Sequence, residues 1–255
     1  MTNQLLVSGQ KGSPAEGTSN YLPIALSLIA GIADVTSWLT LGGLFSAHIT
    51  GNLVVVAADW VQGESPHTAQ LLAIPVFVMG VVLADLLARV FGARRAALIR
   101  SLLLEQFLLL ACTSALAATT HPSTEPNGFA AVLVGMFAVT AMAGQNTLLH
   151  LACKPAPTTA VMTGNIVVSI LALIHIALDR SSDRSDAIHK WKATWPLLIG
   201  FLAGCIAGAT TVSLSHDLAW LLPAVASLIL VLCCGSPKNP LNIRGSTHRR
   251  KRSIK

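Results

Sequence analysis

The chain has 255 residues, of which 53% are hydrophobic and only 11% charged, about half the charged share of a water-soluble domain. With a mean hydropathy of +0.66, this excludes a soluble globular protein, because a water-exposed body cannot bury that much apolar surface. The net charge of +6 comes largely from Arg244 to Lys255, which hold Arg249-Arg250-Lys251-Arg252. Beside a membrane span such a run fixes topology and touches anionic lipid, so no nucleic acid is expected.

Residues 1–20, rich in Gly, Ser, Thr and Asn, read as a flexible tail. Six apolar blocks follow, at 22–41, 71–90, 97–118, 129–150, 195–214 and 217–235, each about the length that crosses a 30 Å hydrocarbon layer. The first is long for a signal-peptide core and lacks a small-x-small cleavage site, so it is expected to remain as a helix. Two shorter apolar segments lie at 53–60 and 166–178. The spacing predicts an all-α integral membrane protein with one membrane domain, 21–235, and a basic tail, 236–255.

A signature occurs twice, as His48-Ile49-Thr50-Gly51-Asn52-Leu53 and Val161-Met162-Thr163-Gly164-Asn165-Ile166. Each copy follows a long apolar block and precedes a helix with small residues every fourth position: Gly80, Ala84 and Ala88 in one half, Gly200, Gly204 and Gly208 in the other. That spacing lets helix backbones approach closely in lipid. The halves, 21–120 and 127–235, read as internal repeats.

If 53–60 and 166–178 both cross, there are eight spans, four per half, and Arg89, Arg94, Arg95, Arg100 and Lys154 fall outside. If both dip in and return, six spans remain and every Lys and Arg lies inside or at an inner helix end, as the positive-inside rule prefers. Six spans plus two re-entrant half-length helices are therefore expected, with both termini cytoplasmic. The repeats then have inverted topology, an architecture of transporters and channels. The Thr-Gly-Asn segments are expected as turns at membrane depth that start the half-helices and aim N–H groups at the protein centre.

Asp34 lies in the first span, on one face with Ser27, Gly31 and Ser37. A buried carboxylate must find water or a partner, so it reads either as a functional group or as an acceptor that caps a re-entrant turn. The second half carries Gly144-Gln145-Asn146-Thr147 at the related place. Asp85, with Arg89 four residues on, and Glu105 read as structural carboxylates. The histidines and five cysteines lack metal-ligand spacing, so no metal or cofactor is expected. Trp38, Trp60, Trp191, Trp195 and Trp220 stand near predicted helix ends as interfacial anchors.

Gly31-x-x-Asp34, Leu41-Gly42-Gly43-Leu44-Phe45, Ala47-His48-Ile49-Thr50-Gly51-Asn52, Gly144-Gln145-Asn146 and the second Thr-Gly-Asn resemble the YoaK family of bacterial membrane proteins, also called domain of unknown function 1275. The resemblance runs over about 22–235, with Ile32 where that family often has an aromatic residue. It implies a multispan protein of the bacterial cytoplasmic (inner) membrane and carries over signature positions without catalytic roles.

The reading that follows is a small-solute transporter or channel in the lipid bilayer. Its binding candidates are Asp34, His48, Thr50, Gly51, Asn52, Gln145, Asn146, Thr163, Gly164 and Asn165. The alternative is a non-catalytic membrane scaffold or regulator acting through the basic tail. An enzyme using Asp34 and His48 is not expected, since no nucleophile, HExxH or phosphate-loop motif accompanies them.

Overall fold

A computed structural model describes residues 21–91, 95–152, 162–178 and 184–235. They form helices α1 (Tyr21–Thr40), α2 (Ile49–Gln62), α3 (Thr68–Phe91), α4 (Arg95–Thr120), α5 (Phe129–Ala152), α6 (Met162–Leu178), α7 (Arg184–Ser215) and α8 (Leu221–Gly235), with short 3-10 turns at Pro122–Thr124 and His216–Trp220. Both tails, Arg94, Cys153 and Lys154 lie outside the described residues. Five stretches are long and apolar enough to cross a membrane: α1, α3, α4, α5 and Arg184–Cys234, which the second 3-10 turn divides into α7 and α8. This is an all-α membrane protein.

The apolar pattern marks the helices but not all their ends. α7 starts at Arg184, well before the expected 195, because Arg184, Asp186, Lys190 and Lys192 continue the helix in residues too polar for a hydropathy scan. α2 and α6 are 14 and 17 residues long, and most of their Leu, Ile and Val side chains face outward.

α1 and α5 form the centre. About 61% and 67% of their apolar windows are buried, against 17% for α3. α1 packs on α7 with Ile24 against Gly200, Leu28 against Gly204 and Ile32 against Gly208. The register advances along both chains together, so the two helices are parallel. α5 packs on α3, where Gly80 meets Thr140 and Ala143. Gly80 and Ala84 are buried there and Ala88 half-buried, while all three α7 glycines are buried. α4 and α5 are antiparallel, as Glu105 lies against Gly144 and Arg95 donates to the Ala152 carbonyl at 2.9 Å.

Several elements meet at the Thr40 end. Trp220 Nε1 donates to Thr40 Oγ1 at 3.2 Å, and Gln70 Nε2 donates to the Gly42 and Gly43 carbonyls at 3.3 and 3.2 Å. Asp217 accepts from Ser123 N–H at 3.1 Å and Ser123 Oγ at 2.7 Å. Trp220 is fully buried and is not the interfacial anchor its position suggested. Its indole closes the core where α8 begins, and Thr40 takes its N–H.

The first short segment starts and ends at the same end of the bundle. A Cβ on Gly42 would stand 2.7 Å from His67 Nδ1, so the two ends of 42–67 lie together. Between them Ala47 reaches Asp34, six residues or about 9 Å back along α1. Gly63 to His67 spans at most about 14 Å, so α2 ends near the level from which the segment set out. Every described Lys and Arg (Arg89, Arg95, Arg100, Arg184, Lys190, Lys192) stands in the half of its helix away from the Thr40 end, whose loops hold Glu64 and Glu125.

Candidate functional site

The loop Leu41–His48 is irregular backbone between α1 and α2. Gly42 and Gly43 turn it with φ of 64° and 78°, a region that only glycine enters cheaply. Every backbone polar group buried here needs a partner, and neighbouring side chains supply them. Asp34, only 4% exposed, accepts at Oδ1 from Ala47 N–H at 2.6 Å and His48 N–H at 3.3 Å, and at Oδ2 from His48 Nδ1. Ser37 Oγ bonds the Leu44 carbonyl at 2.8 Å and Ser46 Oγ at 3.2 Å.

Asn52 pairs with Phe45 in both directions. Phe45 N–H donates to its Oδ1 at 2.9 Å, and its Nδ2 donates to the Phe45 carbonyl at 2.8 Å. Gly51 is needed for closeness, since a Cβ there would come within 2.7 Å of the Phe45 ring. The Thr-Gly-Asn segments are not turns as expected. Both lie in the first turn of a helix, of α2 and of α6, and the bending falls to the glycine pair upstream in the first copy.

The two copies share a burial pattern: Thr50 and Thr163 are exposed, Gly51 and Gly164 half-buried, Asn52 and Asn165 buried. The threonines therefore point away from the interior. Asn52→Leu is expected to cost about 2–3 kcal/mol, because it strands the N–H and the carbonyl of half-buried Phe45; thermal unfolding of purified protein in detergent measures it.

Beside Asp34 lies a groove of about 650 Å³, lined by Val35, Trp38, Phe45, His48, Phe201 and Cys205 among others. Its walls are apolar. Trp38 and Phe45 rings lie 4.6 Å apart, and the Phe201 ring meets the His48 imidazole edge-on at 5.1 Å. The Asp34–His48 pair is the polar spot on this surface.

A family model described as "Protein of unknown function (DUF1275)" matches residues 22–233, nearly the whole helical body. The chain belongs to this family. No curated protein and no solved structure matches it.

In this DUF1275 chain the remaining candidates sit elsewhere. Gln145 Nε2 donates to the Leu26 carbonyl at 3.0 Å, two turns along α1 from Asp34, and its Oε1 accepts from Gln106 Nε2 at 2.8 Å. Asn146 Nδ2 donates back to the Met142 carbonyl at 3.0 Å. Asn165 lies beside Met162 Sδ at the start of α6, which packs on α7, whereas α2 packs on α3. Asp34, His48 and Asn52 thus converge on one loop, and Gln145 belongs to a second cluster.

Sequence reasoning missed Gln70 and Gln106. Each is an amide within or beside an apolar block, and the cost of burying it unpaired was the signal that could have found it. Asp85 and Arg89 do pair, at 2.7 Å.

Proposed function

We propose that the chain is a small-solute transporter or channel of a bacterial cytoplasmic membrane, and that its solute is apolar or amphipathic. The observation that carries this reading is the arrangement of the halves. α1 starts from the end opposite Thr40 and lies along the small-residue face of α7, while α5 starts from the Thr40 end and lies on the small-residue face of α3. Exchanging the halves exchanges the ends, which supports an inverted repeat of the transporter kind. The groove supports a binding role: its volume suits a small ligand, its walls are apolar, and Asp34 with His48 offers one polar anchor. The basic residues gathered at the end opposite Thr40 support a cytoplasmic assignment for that opposite end, with the basic tail on anionic lipid. No catalytic step belongs to this reading.

Full-length protein in proteoliposomes is expected to pass an apolar or amphipathic solute, and Ala209→Phe, which fills the groove from α7, to slow it about tenfold or more, equivalent to roughly 1.4 kcal/mol. Folded protein that moves no solute from a broad panel would count against the proposal. A second reading, a non-catalytic scaffold or regulator, draws on the fact that Asp34 and Asn52 spend their hydrogen bonds on their own loop. Deleting 244–255 separates the two, since a transporter keeps its flux and a tail-dependent regulator loses its effect.

A further inference from the structure

We propose that the Glu105 carboxyl is a proton-binding site at membrane depth, held as the neutral acid in the resting protein, and that it supplies a proton-coupled step. The coupling clause rests on the transport reading above; the site does not.

Glu105 stands ten residues along α4 from Arg95, about 15 Å. Both of its carboxyl oxygens are buried and accept no hydrogen bond from the described residues. They press on α5 at Gly144, where an added Cβ would overlap Oε2 and stand 2.9 Å from Oε1. The next residue, Gln106, is completely buried; its Nε2 is given to Gln145 and its Oε1 has no partner among the described residues. The unpartnered atoms of this residue pair are thus all oxygens, acceptors without a donor.

A charged carboxylate in that position costs several kcal/mol. One proton removes that charge.

Other charges are placed elsewhere. On α4, Arg95 is bound to the Ala152 carbonyl, and Arg100 lies five residues from Glu105 toward the same end. On α5, His150 is six residues past Gly144, and on α3, Asp85 is paired with Arg89. α8 holds Cys233 and Cys234 at its far end, and beside the 3-10 turn at the other end Asp217 is held by Ser123, with His216 its neighbour in sequence. None of these forms an ion pair with Glu105 among the described residues.

The test uses full-length protein in proteoliposomes. Dicyclohexylcarbodiimide, which reacts with protonated carboxyls in apolar surroundings, is expected to label the α4 peptide at Glu105 by mass spectrometry, with labelling falling as pH is raised. Infrared spectra are expected to show a carboxylic-acid carbonyl band that shifts in D₂O and is lost in Glu105→Gln. An unlabelled Glu105 in wild type, or sodium chloride protecting it at constant pH, overturns the proton site; wild-type labelling decides this even if the variant does not fold. A labelled Glu105 in vesicles whose pH no solute changes supports the site and sinks the coupling.

Discussion

Replacing Asp34 by alanine is expected to cost about 3–5 kcal/mol and to release the loop Leu41–His48, because it breaks a buried pair and strands the donors it served. Three donors converge on this carboxylate: Ala47 N–H, His48 N–H and His48 Nδ1. The first two sit in backbone that has no helix to satisfy it, and each unpaired buried group costs about 1–3 kcal/mol. Asp34→Asn keeps an oxygen for the backbone but turns an amide N–H toward the imidazole, so it should lose less, about 1–2 kcal/mol. A double-mutant cycle with His48→Ala should show coupling of about 1 kcal/mol or more, as for residues in one hydrogen-bonded network. Thermal unfolding in detergent reads all four proteins. An Asp34→Ala protein as stable as wild type would falsify the assignment of Asp34 as the clamp of the loop. Asp34→Asn also divides the two functional readings: a solute anchor loses flux when the charge goes, even where stability is nearly kept.

Membrane character was legible because hydrophobic blocks of spanning length leave a trace that no tertiary detail can hide. The α3 and α7 small-residue faces were legible for a related reason, since close backbone approach in lipid admits few side chains. The loop was only half legible. Asp34, His48 and Asn52 stood out as polar residues in apolar surroundings, and the capping role was one of two open meanings for Asp34. The partners of Asn52 and Ser37 are backbone groups of Phe45 and Leu44, and backbone has no sequence signal. For the same reason the bend was expected at Thr-Gly-Asn when it lies at Gly42-Gly43: both contain glycine, but only the pair needs positive φ. Gln145 was grouped with Asp34 because it stands at the related place in the second half, yet its amide reaches Leu26 and Gln106. Similar short motifs do not fix which contacts a side chain makes.

The α1–α7 seam gives the other large effect: Gly204→Ala is expected to destabilise the protein by about 3 kcal/mol, at the upper end for overpacking, and Gly204→Leu to prevent recovery of folded protein. A Cβ on Gly204 would fall on the Leu28 carbonyl oxygen, 3.0 Å from the Leu28 carbonyl carbon and 3.1 Å from Ile32 N. These are backbone atoms of a central helix and cannot rotate away. The seam is tight from both sides, since a Cβ on Gly31 would fall on the Phe201 carbonyl oxygen and 3.0 Å from Cys205 N. Separating the helices would also stretch the 2.6 Å bond from Ser27 Oγ to the Leu197 carbonyl. On α3 the situation differs, because the nearest atom to a Gly80 Cβ is the Ala143 methyl at 2.7 Å. That methyl is fixed to its backbone and moves only with α5, but the overlap is shallower than at Leu28, so Gly80→Ala should cost less, about 1–2 kcal/mol. The order of the two alanine variants in thermal unfolding is therefore the measurement. Gly80→Ala proving the worse would mean that the α1–α7 backbones are not the closest contact in the bundle. The same substitution reaches the groove, because Phe201, Cys205 and Ala209 on α7 line it together with Asp34 and Trp38 on α1. A side chain that parts these helices changes the groove between them, so on the transport reading any folded Gly204→Ala protein should pass solute more slowly than Gly80→Ala does.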